Sequence, residues 1–262
     1  MLRSRIIPCL LVSNNGLVKT IKFKNPKYVG DPINAVRIFN EKETDELMIL
    51  DIDATKFNKE PDYRSIEFWA SECRMPLCYG GGIRTVEQAQ KIFSLGVEKI
   101  ALSSEVIKNP TIISSIAKRV GSQSVVVVLD VKKKTFGGYE LFTHNGSKST
   151  GLNPVDFAKK SALEGAGEIV INSIDRDGTM KGYDLNLVRN IRDAIDIPIT
   201  VLGGASSLDD LGGLIKEFGI IGASAGSLFV FKGKYKAVLI NYPSPNDKDY
   251  LLANNFSINK NI

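Results

Sequence analysis

The sequence predicts an α/β protein built as a single (β/α)8 barrel. Its 262 residues are close to the usual size of one such barrel. Short apolar runs alternate with amphipathic segments along the chain, which is the pattern of a parallel sheet covered by helices. In addition, PLCYGGGIRT at residues 76–85 recurs as PITVLGGASS at residues 198–207. A repeat this long indicates two similar halves, which we place at about residues 1–122 and 123–242.

Eight apolar runs are predicted to be strands. They span residues 6–12, 46–51, 77–80, 99–102, 124–131, 168–172, 199–202 and 220–224. Segments with helical periodicity follow them at residues 31–40, 66–73, 86–95, 111–120, 154–164, 186–194 and 208–218. Strand and helix in alternation at this length favour a closed barrel over an open doubly wound sheet. Functional groups of such barrels gather at the C-terminal ends of the strands.

The polar C-terminal segment and the short length of the apolar runs predict the bounds of the barrel and the location of the protein. Residues 243–262 are polar and asparagine-rich, so we predict a loosely held tail after a barrel of residues 1–242. No apolar run approaches the roughly 18 residues of a membrane span, and the short apolar stretch near the start fits a strand better than a signal peptide. The sequence therefore predicts a cytoplasmic protein that does not bind membranes.

Cysteine content and charge argue against a metal-binding, disulfide-bonded or nucleic-acid-binding protein. The three cysteines lack metal-ligand spacing, so we expect no disulfide, no metal and no cofactor. The net charge of +5 is modest, and lysines concentrate in one loop without a stripe of aromatics between them. Nucleic acid is therefore not an expected partner. The only histidine, His144, lies in a glycine-containing turn, which makes Ser-His-Asp catalysis improbable.

Glycine pairs at the ends of the third and seventh predicted strands indicate phosphate binding. Backbone without side chains lets amide groups approach an anion. The fourth strand ends in a serine pair and the eighth in Gly-Ser, so that each pair of neighbouring loops can hold one phosphate. The residues of the two sites are Gly81, Gly82, Ser103, Ser104, Gly203, Gly204, Gly226 and Ser227. Two sites on opposite sides of the barrel suit a phosphorylated small-molecule substrate with a phosphate at each end; the alternative is that the glycines only form tight turns.

The same repeat compares the first strand with the fifth. It places RIIPCLLV of residues 5–12 over VVVVLDV of residues 125–131, so that Leu11 falls opposite Asp130. A carboxyl group at a strand end can transfer protons, whereas leucine cannot. Carboxylates in DID at residues 51–53 and DRD at residues 175–177 could stand in for the absent acid. The alternative for Asp130 is a structural carboxylate that only accepts hydrogen bonds.

Seven short motifs occur along the chain: RIIPCL at residues 5–10, GDP at 30–32, CYGGGI at 78–83, GSQ at 121–123, GAGEI at 165–169, SIDRDGT at 173–179 and AGSLF at 225–229. Together they resemble the cyclase subunit of imidazole glycerol phosphate synthase, the HisF family, from residue 1 to about residue 242. The resemblance implies a (β/α)8 barrel that receives ammonia from a partner glutaminase. That ammonia is used on a bisphosphorylated ribulosyl aminoimidazole carboxamide.

The resemblance also implies roles for individual residues. Two aspartates at the ends of strands one and five act as acid and base in the family; Asp130 is the second, and Leu11 stands in place of the first. Positions that match the substrate contacts of the family are Lys19, Asp51, Gly82, Asp177, Gly203 and Gly204. Positions that depart from its usual residues are Thr20, Ser103, Ser104 and Asn172. The phosphate chemistry is therefore better preserved than the proton chemistry.

Four charged residues begin predicted strands one, two, four and six, where side chains converge beneath the barrel. They are Arg5, Glu46, Lys99 and Glu168. Two cations and two anions there can pair in a ring, and the resemblance implies that they form the gate through which ammonia enters. The alternative is a salt-bridged plug that only closes the barrel. The resemblance also implies that the glutaminase docks on this face, with Glu98 near the rim.

The long loop after the first strand, residues 13–30, carries four lysines and suits a mobile lid over an anionic substrate, or else is only a solvated loop. Leu11 together with KFKNPKYVGDPIN at residues 22–34 resembles paralogues associated with surface polysaccharides. The resemblance there implies ammonia supply to a separate sugar amidotransferase that makes acetamidino groups. Two alternatives are the ordinary cyclase of histidine biosynthesis and an ammonia-channel module without chemistry of its own.

Overall fold

The computed structural model describes residues 3–253. Its strands are β1 (Arg5–Ser13), β2 (Gly16–Ile21), β3 (Lys24–Gly30), β4 (Leu47–Asp51), β5 (Leu77–Gly80), β6 (Lys99–Leu102), β7 (Val125–Lys133), β8 (Tyr139–Thr143), β9 (Lys148–Ser149), β10 (Glu168–Ser173), β11 (Ile199–Leu202), β12 (Gly222–Ala225), β13 (Phe231–Lys232) and β14 (Ala237–Val238). Its helices are α1 (Pro32–Glu41), α2 (Ile52–Lys56), α3 (Tyr63–Glu72), α4 (Val86–Ser94), α5 (Ser104–Lys108), α6 (Thr111–Val120), α7 (Pro154–Leu163), α8 (Leu185–Arg192), α9 (Leu208–Phe218), α10 (Ser227–Val230) and α11 (Pro245–Ala253).

Eight strands close a parallel barrel. Around it they follow the order β1, β4, β5, β6, β7, β10, β11 and β12. Parallel pairing of β12 with β1 and of β7 with β10 completes the circle, so no edge is left unpaired. Each strand matches one of the eight predicted runs, and the predicted (β/α)8 barrel is confirmed. The division into two similar halves stays a prediction.

The seven predicted helices correspond to α1, α3, α4, α6, α7, α8 and α9. Local sequence signals fix their starts. Asp31 caps α1 by accepting from the Ile33 amide, and the proline at the first helical position is preset for the turn. Thr85 and Gln88 form a capping box at α4. Within residues 3–253, none of the helices is long and apolar enough to span a bilayer.

Helix α11 lies where the sequence predicts a loose polar tail. Leu251 is buried, and a Cβ on Gly212 of α9 would lie only 3.0 Å from its Cδ2. Lys248 donates to the backbone oxygen of Glu43 at 3.0 Å and to the Asp45 carboxylate at 3.2 Å. The C-terminal segment thus includes a packed helix. The polar composition did not predict it, because few of the helix residues are apolar. Residues 254–262 of the predicted tail lie outside the described residues.

Apolar side chains form one layer inside the barrel and another between strands and helices. Alternation along β1 sends Ile7, Cys9 and Leu11 inward and Ile6 and Leu10 toward the helices. The inner layer continues with Val18, Met48, Cys78, Ala101, Val126, Val128, Val170 and Leu202. The barrel axis is therefore lined by uncharged side chains between its two ends.

Antiparallel strands extend the chain beyond the C-terminal ends of three barrel strands: β2 and β3 after β1, β8 and β9 after β7, and β13 and β14 after β12. The first pair occupies the predicted loop, and its β2 pairs with β1 so that Leu11 lies opposite Val18. Lys22 and Phe23 form its turn with φ of 52° and 62°. Such turns usually carry Asn-Gly, so this hairpin had no turn signal in the sequence.

Candidate active site

A pocket opens at the C-terminal ends of the barrel strands, which we call the mouth. The sequence predicts twelve functional residues there, and all twelve line this pocket: Lys19, Asp51, Gly81, Gly82, Ser103, Ser104, Asp130, Asp177, Gly203, Gly204, Gly226 and Ser227. They come from strands on every side of the barrel. Only the closed barrel brings these residues together, since they are separated by up to about two hundred positions along the chain.

The two predicted phosphate sites lie across the mouth from each other, one after β5 and β6 and the other after β11 and β12. Backbone approach requires glycine in both. Gly82 has φ of 72°, and a Cβ there would lie 2.8 Å from the Lys59 oxygen. Gly204 has φ of 115°, and a Cβ would lie 2.2 Å from the Gly182 oxygen. A side chain at either position would strain the backbone and clash with a neighbouring backbone oxygen.

Lys19 reaches the second of these sites from β2. Its side chain is buried, and Nζ donates to the Cys9 backbone oxygen at 3.0 Å. A Cβ on Gly226 would come within 2.0 Å of that nitrogen, so glycine makes the room that the amine occupies. Burial lowers the pKa of Lys19, with Asp177 among the groups that oppose the shift. The amine thus lies beside the backbone where an anion is predicted.

Asp130 ends the inward-facing part of β7 and carries two hydrogen bonds. Ser103 Oγ donates to one carboxylate oxygen at 3.1 Å and Asn172 Nδ2 to the other at 2.8 Å. Burial raises the pKa of Asp130 to about 6, although both hydrogen bonds oppose the shift. The other amide atom of Asn172, Oδ1, is buried without a partner among the described residues. The sequence singled out Asn172 only as a departure from the family pattern; its contact with Asp130 follows from the parallel register of β7 and β10.

Leu11 lies in the same pocket as Asp130 and is buried among apolar neighbours. It pairs with Leu50 of β4 and Val18 of β2. The pocket therefore has one acidic wall, at β7, and one apolar wall, at β1. The Leu11 side chain cannot exchange a proton with a ligand.

The carboxylates that could replace the missing acid have structural partners. Asp51 caps α2 by accepting from the amides of Asp53 and Ala54 at 2.8 and 3.1 Å. Burial raises the pKa of Asp51 against those hydrogen bonds. Asp53 accepts from Ser13 and Asn14. Of the four carboxylates at residues 51–53 and 175–177, Asp51 and Asp177 line the pocket, and both are alternatives that the geometry leaves open.

Asp177 fastens the first hairpin across the mouth. Its Oδ2 accepts from Thr20 Oγ1 at 2.7 Å and from the Phe23 amide at 3.2 Å, and its backbone oxygen accepts from the Lys22 amide at 3.0 Å. A Cβ on Gly146, in the turn after β8, would lie 3.2 Å from the Phe23 ring. The predicted lid segment is thus an ordered hairpin held against two other loops.

The predicted charge ring closes the N-terminal ends of the strands, which we call the floor. Arg5 binds Glu46 and, at 2.7 Å, Glu168; Lys99 binds both carboxylates at 2.9 Å. Thr200 Oγ1 donates to Glu168 at 2.5 Å. Burial alone would lower the pKa of Arg5 and of Lys99. The two glutamates have the larger effect, so the net shift of both pKa values is upward. Burial alone would raise the pKa of Glu168. Arg5 and Lys99 have the larger effect, so the net shift of this pKa is downward. The predicted pairing is confirmed, and its role as a gate stays a prediction.

Glu98 lies one residue before Lys99 and is exposed at the edge of the floor. Its carboxylate accepts from the Leu77 amide at 2.7 Å, so it holds the start of β5 while presenting charge outward. Within residues 3–253, no group of three or more His, Cys, Asp or Glu side chains is arranged to hold a metal ion.

Comparison with known proteins gives consistent matches. The sequence profile of the family described as "histidine biosynthesis protein" matches residues 5–236. A Vibrio vulnificus (strain YJ016) protein, provisionally named imidazole glycerol phosphate synthase subunit hisF3, is 61% identical over 95% of this chain and 96% of its own length. A Leptospira interrogans protein with a provisional name as subunit HisF of that synthase is 60% identical over 96% of this chain and 99% of its own. Subunit hisF2 of Pseudomonas aeruginosa, also provisionally named, is 52% identical over 95% and 99% of the two chains.

Proposed function

Because the chain belongs to the histidine biosynthesis protein family, we propose that it is the ammonia-accepting barrel subunit of a glutamine amidotransferase complex. In this proposal, ammonia enters at the floor, crosses the barrel and reaches the mouth. One observation carries it: a charged ring and a polar pocket lie at opposite ends of one barrel whose axis is lined by uncharged side chains. Neutral ammonia can cross such an interior, whereas ions are excluded from it.

The proposed partner at the floor is a glutaminase that releases ammonia onto the ring of Arg5, Glu46, Lys99 and Glu168. The ring is neutral as a whole, so opening it requires only exchange of one ion pair for another. Glu98 presents a carboxylate beside the ring and is the proposed docking contact. We expect Glu98→Gln to keep the hydrogen bond to the Leu77 amide, so that it tests the charge alone.

The proposed substrate at the mouth carries a phosphate at each end. The two sites are supported by Gly82 and Gly204, whose positive φ values favour glycine at these strand ends, and Lys19 adds a cation beside one of them. Asp130, with a pKa of about 6, is the proposed base or acid, because it is mostly ionised at neutral pH and can still be protonated in the reaction.

We further propose that the ammonia acceptor differs from that of the histidine pathway, and that the ammonia serves amidine or amine formation on a surface-polysaccharide sugar through a separate sugar amidotransferase. Leu11 supports this, because the apolar wall at β1 offers no second proton-transferring group opposite Asp130. The second candidate is the cyclase reaction of histidine biosynthesis itself. It is favoured by the provisional names of the relatives and by Asp51, which could supply the second carboxylate from the pocket wall.

The first experiment is turnover of the bisphosphorylated ribulosyl aminoimidazole carboxamide by the purified chain with saturating ammonium salt, which removes the need for a glutaminase. We expect the ligand to bind without forming product. Product at about one turnover per second, an ordinary enzymatic rate, would establish the histidine-pathway reaction instead. Growth of a histidine auxotroph carrying the gene is the matching test in cells, and robust growth would lead to the same conclusion.

A further inference from the structure

The three hairpins beside the mouth share an unusual composition. Each carries three exposed lysines and one exposed aromatic ring. We call the following residues the lysine crown: Lys22, Lys24, Lys27 and Tyr28; Lys132, Lys133, Lys134 and Phe136; Lys232, Lys234, Tyr235 and Lys236. Phe136 is fully exposed, and Tyr235 is 92% exposed. Isolated aromatic rings at this exposure contribute nothing to the core of the barrel.

The lysine crown has few carboxylates beside it: Glu140 lies opposite Lys132 in the β7–β8 pairing, and Asp175 accepts from the Lys133 amide. Residues 21–30, 131–139 and 231–242 contain no Asp or Glu. In the part of the chain that the structure describes, none of the nine lysines takes part in a salt bridge. The nine positive charges exceed the net charge of +5 of the whole chain, so the rest of the protein is net negative. The three hairpins therefore carry nine of the 34 Lys and Arg charges of the chain.

The lysine crown lies around the mouth. Its hairpins follow β1, β7 and β12; β12 is the neighbour of β1 in the barrel, and β7 lies four strands away, on the opposite side. Lys27 Nζ lies 5.9 Å from the centre of the Phe231 ring, which joins the first and third hairpins. The first hairpin also meets the turn after β8 at Gly146. The hairpins thus extend from the mouth end of the barrel on two opposite sides, and their crown residues lie outside the lining of the pocket.

We propose that the lysine crown is the docking surface for an acidic protein that consumes the ammonia leaving the mouth. This inference rests on the proposed function, because it assumes that ammonia arrives there. Ammonia released into bulk water is protonated and diluted, so a separate consumer must seal against the mouth. Unpaired lysines attract a surface of carboxylates and speed its encounter, and exposed aromatic rings are typical anchors of protein interfaces.

A protein explains the crown better than the other polyanions. A flat bilayer resting on hairpins at two sides of the mouth would cover the pocket and exclude a soluble substrate. A nucleic acid would be expected to follow a continuous stripe of charge, whereas the lysines here form separate groups divided by the opening. An acidic protein can contact both groups and extend the pocket at the same time.

The test places a photo-crosslinking amino acid at Phe136 or at Tyr235 in the full chain, in the cells that normally produce it. Leu163, 89% exposed on α7, is the matched control away from the mouth. Glu98 is the positive control for a glutaminase at the floor. We expect both crown positions to capture the same acidic protein and Leu163 to capture none of it. Absence of a shared protein at the crown, while Glu98 captures a glutaminase, overturns the docking surface and leaves the proposed function standing.

The captured protein is then purified and its affinity measured with a variant in which Lys132, Lys133 and Lys134 are changed to Glu. We expect at least a tenfold loss of affinity and a steep dependence on salt. Charge reversal at Lys118, Lys159 and Lys160, which lie on α6 and α7, should leave the affinity unchanged. Unchanged affinity of the crown variant, or equal binding through the same lysines to duplex DNA or to phosphatidylglycerol vesicles, overturns the proposal. Capture at the crown without any glutaminase at Glu98 supports the docking surface and counts against the glutaminase part of the proposed function.

Discussion

The floor and the mouth of the barrel both place carboxylates at the end of an apolar tube, but only the floor pairs them with cations. Glu46 and Glu168 each contact Arg5 and Lys99, so four charges neutralise one another. At the mouth, Asp130 has hydrogen bonds from Ser103 and Asn172 and no cation. Despite burial, Arg5 and Lys99 thus lower the pKa of Glu168, whereas burial raises the pKa of Asp130 to about 6.

The difference shows how one fold separates two tasks. The floor ring consists of four paired charges, and its proposed role as a gate requires no exchange of protons. A lone acid with a raised pKa can exchange protons but needs a second group to complete an acid-base pair, and at position 11 the chain supplies leucine. Substitutions at the mouth and at the floor test this contrast.

Leu11→Asp should supply the missing acid at the mouth. We expect turnover of the bisphosphorylated ribulosyl aminoimidazole carboxamide with ammonium to rise by roughly 10²–10⁴-fold, the usual effect of one general acid or base. Leu11→Asn is the matched control of similar shape that cannot ionise, and Asp130→Asn in the Leu11→Asp background should remove the gain. Equal rates for the Asp and Asn variants would show that position 11 does not limit the chemistry.

Glu46→Gln should destabilise the floor, because it leaves Arg5 and Lys99 to share one carboxylate. Breaking a buried ion pair on one side typically costs about 3 kcal/mol of unfolding free energy, measured by urea denaturation. Glu72→Gln, which breaks the exposed pair with Arg37, should leave the midpoint almost unchanged. A similar small effect at both sites would mean that the floor ring is solvated and adds little to the fold.

Asp130 should make stability depend on pH in a defined window. Its pKa is about 6 in the fold against 3.8 for an ordinary aspartate, so the folded state holds a proton that the unfolded chain releases. The wild type should therefore lose stability relative to Asp130→Asn as pH rises from about 4 to about 6, by roughly 1–2 kcal/mol. Unfolding free energies of the two proteins measured across that range check this. Parallel curves would contradict a raised pKa.

The sequence predicted the barrel well because its signals are local. Eight apolar runs of strand length, helix caps such as Thr85 with Gln88, and the repeated glycine pairs each depend on residues close together in the chain. Helix α11 and the hairpin turn at Lys22 and Phe23 escaped prediction because the first has a sparse apolar face and the second lacks turn residues.

The sequence predicted the residues of the candidate site but not the contacts between them. The sequence alone determined that Asp130 has no acidic counterpart at position 11 and that four charges begin four strands. Only the tertiary structure decided that Ser103 and Asn172 hold the Asp130 carboxylate, that Asp177 fastens a hairpin, and that three lysine-bearing hairpins extend from the same end of the barrel. The physical reason is that barrel closure brings together strand ends far apart in sequence, and partners and pKa values depend on that proximity.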